Sequence, residues 1–100
     1  MTETDFIVSE NVSISPLYGL LKLSPTSGEM PVCRPGQFVQ VEVPNSKTTF
    51  LRRPISICYV DEAQRRLWLL IRKAGEGTSA LLKTPAGSVL NLVLPLGNGF

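Results

Sequence analysis

The sequence lacks the residues that most enzymes use for acid–base and metal chemistry. Its 100 residues contain no histidine and only two cysteines, Cys33 and Cys58. Histidine titrates nearest neutral pH and is the commonest metal ligand, so its absence removes the usual general base. Two cysteines so far apart do not form a metal site; we expect two reduced thiols, and a disulfide is the alternative. Any chemistry must therefore come from a cofactor or from another chain.

Long apolar runs and a strong net charge are also absent. No apolar run reaches the ~18 residues that a membrane-spanning helix needs. Residues 1–5 are polar and acidic, unlike a secretory signal, so we expect a cytoplasmic protein with no membrane partner. The net charge of +2 is too small to predict a nucleic-acid surface. Hydrophobic residues make up 43% of the chain, enough for one small globular domain.

Short alternating or apolar stretches recur about every ten residues. They predict strands over residues 6–15, 18–23, 38–43, 53–60, 67–71 and 88–94. A short helix is predicted over residues 78–83, with Gly77 or Thr78 as its N-cap. This pattern predicts an all-β fold, a six-stranded antiparallel barrel with one short helix. Trp68 lies within a run of leucines, and we expect it to pack in the core.

The most unusual strand start is at residues 51–57, Leu-Arg-Arg-Pro-Ile-Ser-Ile. Arginine presents a planar, permanently charged fork of donors that suits a phosphate. Pro54 has no amide hydrogen, so the backbone here is partly unpaired. Strand alternation turns Arg53 and Ile55 to one side and their neighbours to the other. An anionic, planar ligand along this strand is one interpretation, and an ordinary surface arginine pair is the alternative.

A second candidate site follows the strand predicted at residues 67–71. Residues 72–82 read Arg-Lys-Ala-Gly-Glu-Gly-Thr-Ser-Ala-Leu-Leu, a glycine-containing loop that leads into the helix. Glycines allow close backbone approach, and a helix start offers unpaired amides and partial positive charge. This pattern indicates a phosphate cradle, and an ordinary strand-to-helix turn is the alternative.

The same loop matches Gly-x-Gly-x-x-Ala, but we reject a Rossmann unit. That fingerprint requires a parallel strand–helix–strand unit and an acidic residue roughly 20 positions later. No Asp or Glu follows Glu76. The two candidate sites instead flank one predicted hairpin, which would bring them onto adjacent strands. A single pyrophosphate could then contact Arg53 and the amides of Gly77 and Thr78.

Four segments resemble the ferredoxin–NADP reductase superfamily. They are residues 35–39, 53–56, 73–81 and 94–100. Their order and spacing are most similar to those of the electron-transfer subunits of NAD-dependent dihydroorotate dehydrogenases. Leu94 departs from the family pattern, which usually has glycine there.

The resemblance implies a Greek-key β-barrel that binds FAD, a ferredoxin reductase-type FAD-binding domain, over residues 1–94. Residues 95–100 would begin the junction to a nicotinamide-binding domain, so we expect the chain to be a fragment. The family also implies roles for one strand start. Arg53 would bind the flavin pyrophosphate, Pro54 and Ile55 would line the ring, and Ser56 would lie near the flavin N5. Arg52 falls outside the motif and is expected to be a solvated neighbour.

The remaining site residues implied by the resemblance lie on the next strand and the helix start. Leu70, Ile71 and Arg72 would hold the ribityl and adenosine portion, largely through their backbone. Gly77 and Thr78 would cap the phosphates. No residue of this chain is expected to be catalytic, because the flavin supplies the chemistry.

The resemblance implies a role in a flavin-dependent oxidoreductase of pyrimidine biosynthesis. In the family, NADH gives hydride to FAD, and electrons pass through a [2Fe–2S] cluster to the FMN of a catalytic dihydroorotate dehydrogenase subunit. A heterotetramer is expected. Cys33 and Cys58 match neither cluster position, so the cluster ligands are not expected in this chain, which by itself should be inactive.

Two alternatives stay open at this point. One is the flavin domain of a related ferredoxin–NADP or sulfide reductase subunit, which shares the same flavin motifs. The other is a non-enzymatic barrel that binds nucleic acid or protein through a basic face. That face would consist of Arg52, Arg53, Arg65, Arg66, Arg72 and Lys73. Exposed aromatic residues for base stacking are scarce, which disfavours the nucleic-acid reading.

Overall fold

Six antiparallel strands close into a barrel, and one short helix covers part of its outer surface. The computed structural model describes residues 2–44 and 52–96. In these ranges the elements are β1 (Thr2–Ser15), β2 (Tyr18–Pro25), β3 (Phe38–Val41), β4 (Arg53–Asp61), β5 (Arg66–Arg72), α1 (Glu76–Leu82) and β6 (Val89–Leu96). The predicted fold class is confirmed.

The strand order around the barrel is β1-β2-β5-β4-β3-β6. Strands β3, β4 and β5 are neighbours in sequence and in space, and β6 returns to pair with β3, which is Greek-key topology. β1 is long because its first half pairs with β6 and its second half with β2. It begins four residues before the predicted start, because residues 2–5 are held by backbone pairing and not by an apolar pattern.

The core follows strand alternation. On β5, Leu67, Leu69 and Ile71 are fully buried. Trp68 lies between them on the outer face, so its predicted place in the core is wrong. There its ring packs edge-on against Tyr59, with the ring centroids 4.9 Å apart. Among the described residues, the buried residues that form the core cluster are Phe6, Val8, Leu21, Leu23, Val39, Val41, Ile55, Ile57, Leu67, Leu69, Ile71, Leu81, Leu90, Leu92 and Leu94.

The helix begins two residues earlier than predicted, with Gly75 at the N-cap position and no side-chain cap. Thr78 is not the cap. Its hydroxyl lies within the first turn, accepts from the Ala74 amide at 2.8 Å and donates to the Gly75 carbonyl at 3.2 Å. Thr78 therefore fixes the loop that precedes α1.

The helix is docked onto the β1–β2 hairpin. A Cβ at Gly19 would overlap Leu82 Cδ2, so β2 and α1 touch directly at this glycine. The Asn11 side chain donates to the carbonyls of Leu82 at 3.0 Å and Thr84 at 2.7 Å, which satisfies the end of α1. These contacts fix the position of the helix on the barrel wall.

Strand β6 continues through Leu96, and residues 97–100 of the predicted junction lie outside the described residues. The described ranges contain no helix that is long and apolar enough to cross a membrane.

Candidate functional site

Strands β4 and β5 stop pairing partway along and leave a fork. Their paired positions run from Asp61–Arg66 to Ile57–Leu69. Before Ile57, the recorded partner of β4 is β3. Beyond Leu69, the recorded partner of β5 is β2. Residues 53–56 and 70–72 therefore form the two open edges of the fork in an otherwise closed barrel.

Hydrogen bonds on the β4 side show which backbone groups face the fork. The Ile57 amide donates to the Gln37 carbonyl at 2.8 Å, and the Ile57 carbonyl accepts from the Gly36 amide at 3.0 Å. Backbone direction alternates along a strand, so the groups of Pro54 and Ser56 turn the opposite way, into the fork. Proline is tolerated at this position because, within residues 2–44 and 52–96, this edge has no strand partner that needs its amide.

The β5 edge presents backbone groups to the fork in the same way. The Lys73 amide donates to the Leu17 carbonyl at 2.7 Å, on the side of β2. Alternation then turns the amides and carbonyls of Leu70 and Arg72 toward the fork. The fork thus offers hydrogen-bonding backbone groups from two strands.

A cavity of about 260 Å³ lies at the mouth of the fork, between Arg53 and the loop of residues 74–78. The Arg53 side chain is exposed, and its guanidinium has no hydrogen-bond or ion-pair partner among the described residues. A Cβ at Gly77 would lie 3.1 Å from both Cγ and Cδ of Arg53. The arginine stem therefore rests on the loop where residue 77 has no side chain. The Glu76 residue also lines this cavity.

The loop presents amides to the same cavity. The first helical hydrogen bond runs from the Ser79 amide to the Gly75 carbonyl at 2.9 Å. The amides of Gly77 and Thr78 precede it, so they have no partner within the helix. The structure thus brings the two candidate sites of the sequence together, with Arg53 on one side and these amides on the other.

The outward positions on the fork are Pro54, Ser56, Leu70 and Arg72, all exposed. Ile55 and Ile71 point into the core and are 7% and 0% exposed. Any contact of Ile55 with a ring would therefore be made by its backbone, because its side chain lies in the core. Alternation alone could have indicated this, because Ile55 and Ile57 share the inward face.

Arg52 is tied into the barrel, so the expectation of a solvated side chain is wrong. Its guanidinium donates to the carbonyls of Asn91 at 3.0 Å and Gln40 at 3.3 Å, and to the Asn91 side-chain oxygen. It also forms ion pairs with Glu42 at 3.5 Å and Glu3 at 3.6 Å. These partners lie far from Arg52 in sequence, which is why the sequence did not reveal them.

Sequence reasoning also missed neighbours that border the fork. Phe38 lies directly opposite Ser56 on β3, and Leu20 lies directly opposite Leu70 on β2. A side chain directly across an antiparallel pair shares its face, so both border the outer surface of the fork. Only the strand register could have identified them.

The cysteines do not form a site. Cys33 and Cys58 are both free, and burial raises the pKa of each thiol. Within the ranges that the structure covers, no group of three or more His, Cys, Asp or Glu side chains could hold a metal ion.

Comparisons of structure define the class of the barrel. Phthalate dioxygenase reductase matches with a TM-score of 0.79 at 20% identity, over 96% of this chain and 30% of that one. A flavohemoglobin from Malassezia yamatoensis, solved with bound FAD and heme, matches with a TM-score of 0.77 at 15% identity, over 98% of this chain and 26% of that one. The barrel has the fold of a ferredoxin reductase-type FAD-binding domain.

Comparisons of sequence identify the particular family, although no family model matches. The electron transfer subunit of dihydroorotate dehydrogenase B (NAD(+)) from Bacillus mycoides strain KBAB4 is 46% identical over 66 residues, which is 66% of this chain and 26% of that protein. The subunit of the same name from Geobacillus kaustophilus strain HTA426 is 42% identical over 67 residues. The chain belongs to the family of these electron transfer subunits and spans about a quarter of their length.

Proposed function

We propose that this chain is the FAD-binding domain of an electron-transfer subunit that serves a dihydroorotate dehydrogenase. The observation that carries the proposal is the position of Arg53. Its guanidinium, which has no partner among the residues that the structure describes, faces a cavity with the Gly77 loop on the other side, at the mouth of an open fork. The fold that contains this arrangement is similar to that of the flavohemoglobin solved with bound FAD.

The cavity fits a pyrophosphate. Arginine binds phosphate oxygens through charge-assisted hydrogen bonds in fixed geometry. The amides of Gly77 and Thr78 add donors that have no partner in the helix. Gly77 allows the backbone and the Arg53 stem to approach each other closely. In this proposal these three residues hold the two phosphates of FAD.

The fork fits the rest of an extended flavin. The open backbone groups of Ser56, Leu70 and Arg72 would hydrogen-bond to the ring edge, the ribityl chain and the adenosine portion. Pro54 offers the apolar surface of its ring, whereas Ile55 and Ile71 contribute only backbone because their side chains are buried. The Ser56 hydroxyl lies on the exposed face and would be the neighbour of the flavin N5.

Bound FAD supplies hydride and electron transfer, and the protein supplies orientation and electrostatics. NAD(H) as electron donor and a catalytic dihydroorotate dehydrogenase partner are parts of the proposal that agree with the relatives' names. An FMN in that partner, a heterotetramer and a place in pyrimidine biosynthesis are further parts of the proposal, which rest on the family resemblance of the sequence. A [2Fe–2S] cluster takes four cysteines, or two cysteines and two histidines, and this chain has two cysteines and no histidine, so it does not supply either ligand set. A cytoplasmic location is also proposed, in keeping with the two free thiols.

The direct test is a titration of the chain with FAD, followed by bound flavin absorbance and by melting temperature. We expect saturating FAD to raise both. Arg53→Ala should weaken FAD binding by about 1.5–3 kcal/mol, because a charge-assisted contact is lost. Arg65→Ala is the matched control, since Arg65 is an exposed arginine in the turn at the opposite end of β4.

The proposal fails if saturating FAD changes neither the melting temperature nor the bound absorbance. A shift produced by an oligonucleotide, with none from FAD, would favour the nucleic-acid-binding barrel instead. Equal losses in Arg53→Ala and Arg65→Ala would show that FAD binds elsewhere or without a specific arginine contact.

A further inference from the structure

We propose that Arg52 is a positioning residue for FAD, which holds the start of β4 so that Arg53 stays seated on Gly77. The inference rests on the proposed FAD site and extends it by one residue. Arg52 does not face the cavity, whose lining from this part of β4 is Arg53. Its effect on the ligand would therefore pass through its neighbour.

The contacts of Arg52 reach three other strands. One guanidinium nitrogen donates to the backbone carbonyls of Gln40 on β3 and Asn91 on β6. The other contacts the Asn91 side chain, Glu42 just after β3, and Glu3 on β1. The arginine thus ties the entry of β4 across the neighbouring barrel wall.

Asn91, which accepts two hydrogen bonds from Arg52, is itself held by further contacts. The Asn91 side-chain amide donates to Asp5 Oδ1 at 2.8 Å. The Asn91 carbonyl also accepts from the Glu42 amide at 3.0 Å. Asn91 is therefore held on both sides, and a guanidinium bound to it is held in turn. A rigid acceptor makes Arg52 a defined anchor and not a mobile surface charge.

The start of β4 needs an anchor because, at the fork, it is paired on one side. Residues 53–56 pair with β3 on one edge and, in the described part of the chain, have no strand partner on the other. The last pair of this ladder is Val41–Arg53, so Arg53 lies at the end of a one-sided ladder. Ladder ends fray most easily, because few hydrogen bonds must open. The Arg52 side chain supplies the additional bonds next to this end.

The two arginines differ in their charged neighbours, and this difference separates their proposed roles. Glu3 and Glu42 are within ion-pair distance of Arg52 and compensate its charge. Arg53 has no such partner among residues 2–44 and 52–96. An anion in the cavity is therefore drawn mainly by Arg53, and Arg52 acts on it through geometry. Since Arg53 lies within 3.1 Å of a Cβ position at Gly77, a small movement of the strand entry would displace its guanidinium.

The test is a double-mutant cycle with Arg52→Gln, Arg53→Gln and the double variant, in which the FAD dissociation constant and urea unfolding are measured for each. With Arg53 present, we expect Arg52→Gln to weaken FAD binding by about 3–10-fold. In the Arg53→Gln background, the same change should cost less than about twofold, because residues that act through one another are not additive. Arg52→Lys should resemble Arg52→Gln, since a lysine keeps the charge but lacks the planar fork.

Controls separate positioning from general stability. Arg66→Gln removes a surface ion pair to Glu10, at 3.7 Å, and should leave the FAD dissociation constant unchanged. Asn91→Ala keeps the charge of Arg52 but removes one of its acceptors. It should show the same dependence on Arg53, and it carries the test if Arg52→Gln unfolds.

Three outcomes overturn the inference. Equal losses of affinity in the Arg53 and Arg53→Gln backgrounds would mean that Arg52 acts on stability or directly on the ligand. Full affinity in Arg52→Lys, with a loss in Arg52→Gln, would mean that its charge alone matters. Unchanged affinity in both Arg52→Gln and Asn91→Ala would mean that it does not act on binding at all. If Arg53→Gln itself binds FAD normally, the proposed FAD site has failed, and that result is separate from the cycle.

Discussion

Arg52 and Arg53 are neighbours with the same side chain, yet they occupy opposite surroundings. Arg52 binds two backbone carbonyls and the Asn91 side chain, and two carboxylates lie beside it. Arg53 lies over a glycine at the edge of a cavity and has no partner among the described residues. The protein satisfies one guanidinium itself, and the other is the one that we propose binds a ligand.

The difference shows how a charge becomes functional in a small barrel. A guanidinium surrounded by the protein's own carbonyls and carboxylates contributes to the fold, because its bonding capacity is used. A guanidinium held in place through its apolar stem keeps that capacity for an outside anion. The residue type is the same in both cases, and the strand pairing around it decides the role.

The largest expected difference between the two arginines is their contribution to stability. Arg52→Ala should lower the free energy of unfolding by about 1–2 kcal/mol, because several acceptors lose the hydrogen bonds that this half-buried side chain donates. Arg53→Ala should change it by less than about 0.5 kcal/mol, as is usual for exposed positions. Urea unfolding followed by fluorescence measures both. Similar losses in the two variants would contradict the division of roles.

A smaller effect is expected on FAD affinity when the contact between Arg53 and Gly77 is changed. Gly77→Ala places a methyl 3.1 Å from the Arg53 stem, whereas no atom of the described residues lies within 4 Å of a Cβ at Gly75. Gly77→Ala should weaken FAD binding by about 3–10-fold without loss of stability, since alanine favours a helix by roughly 1 kcal/mol over glycine. FAD titration and thermal unfolding check this, with Gly75→Ala as the matched control. Equal FAD affinities in the two variants would show that the contact of the Arg53 stem with Gly77 is unimportant for FAD binding.

Much of the fold could be predicted, because each strand carries its own alternating or apolar pattern. Leu67, Leu69 and Ile71 turn inward as their spacing requires. Trp68 was misplaced because an aromatic residue among leucines looks like core until the phase of alternation is fixed. The helix start was misplaced because Thr78 has the chemistry of a cap but bonds within the first turn.

The site was predictable in part. The motif around Arg53 and the glycine loop both indicated a phosphate, and the hairpin between them predicted their proximity. The fork could not be predicted, because it depends on where the pairing of β4 and β5 ends. The anchoring of Arg52 depends on Asn91, 39 residues away in sequence, and on Glu3 at the start of β1. Such contacts follow from register and closure, which local patterns do not contain.

The central claim is that the fork and the cavity beside Arg53 bind FAD. The most direct measurement is a titration of isotope-labelled chain with FAD, followed by amide chemical shifts in two-dimensional NMR spectra. We predict that the largest shifts fall on Ser56, Leu70, Arg72, Gly77 and Thr78, and that Trp68 and the hairpin turn after β4 stay unchanged. Saturable shifts centred on Trp68 and Tyr59, with the fork unaffected, would contradict the account.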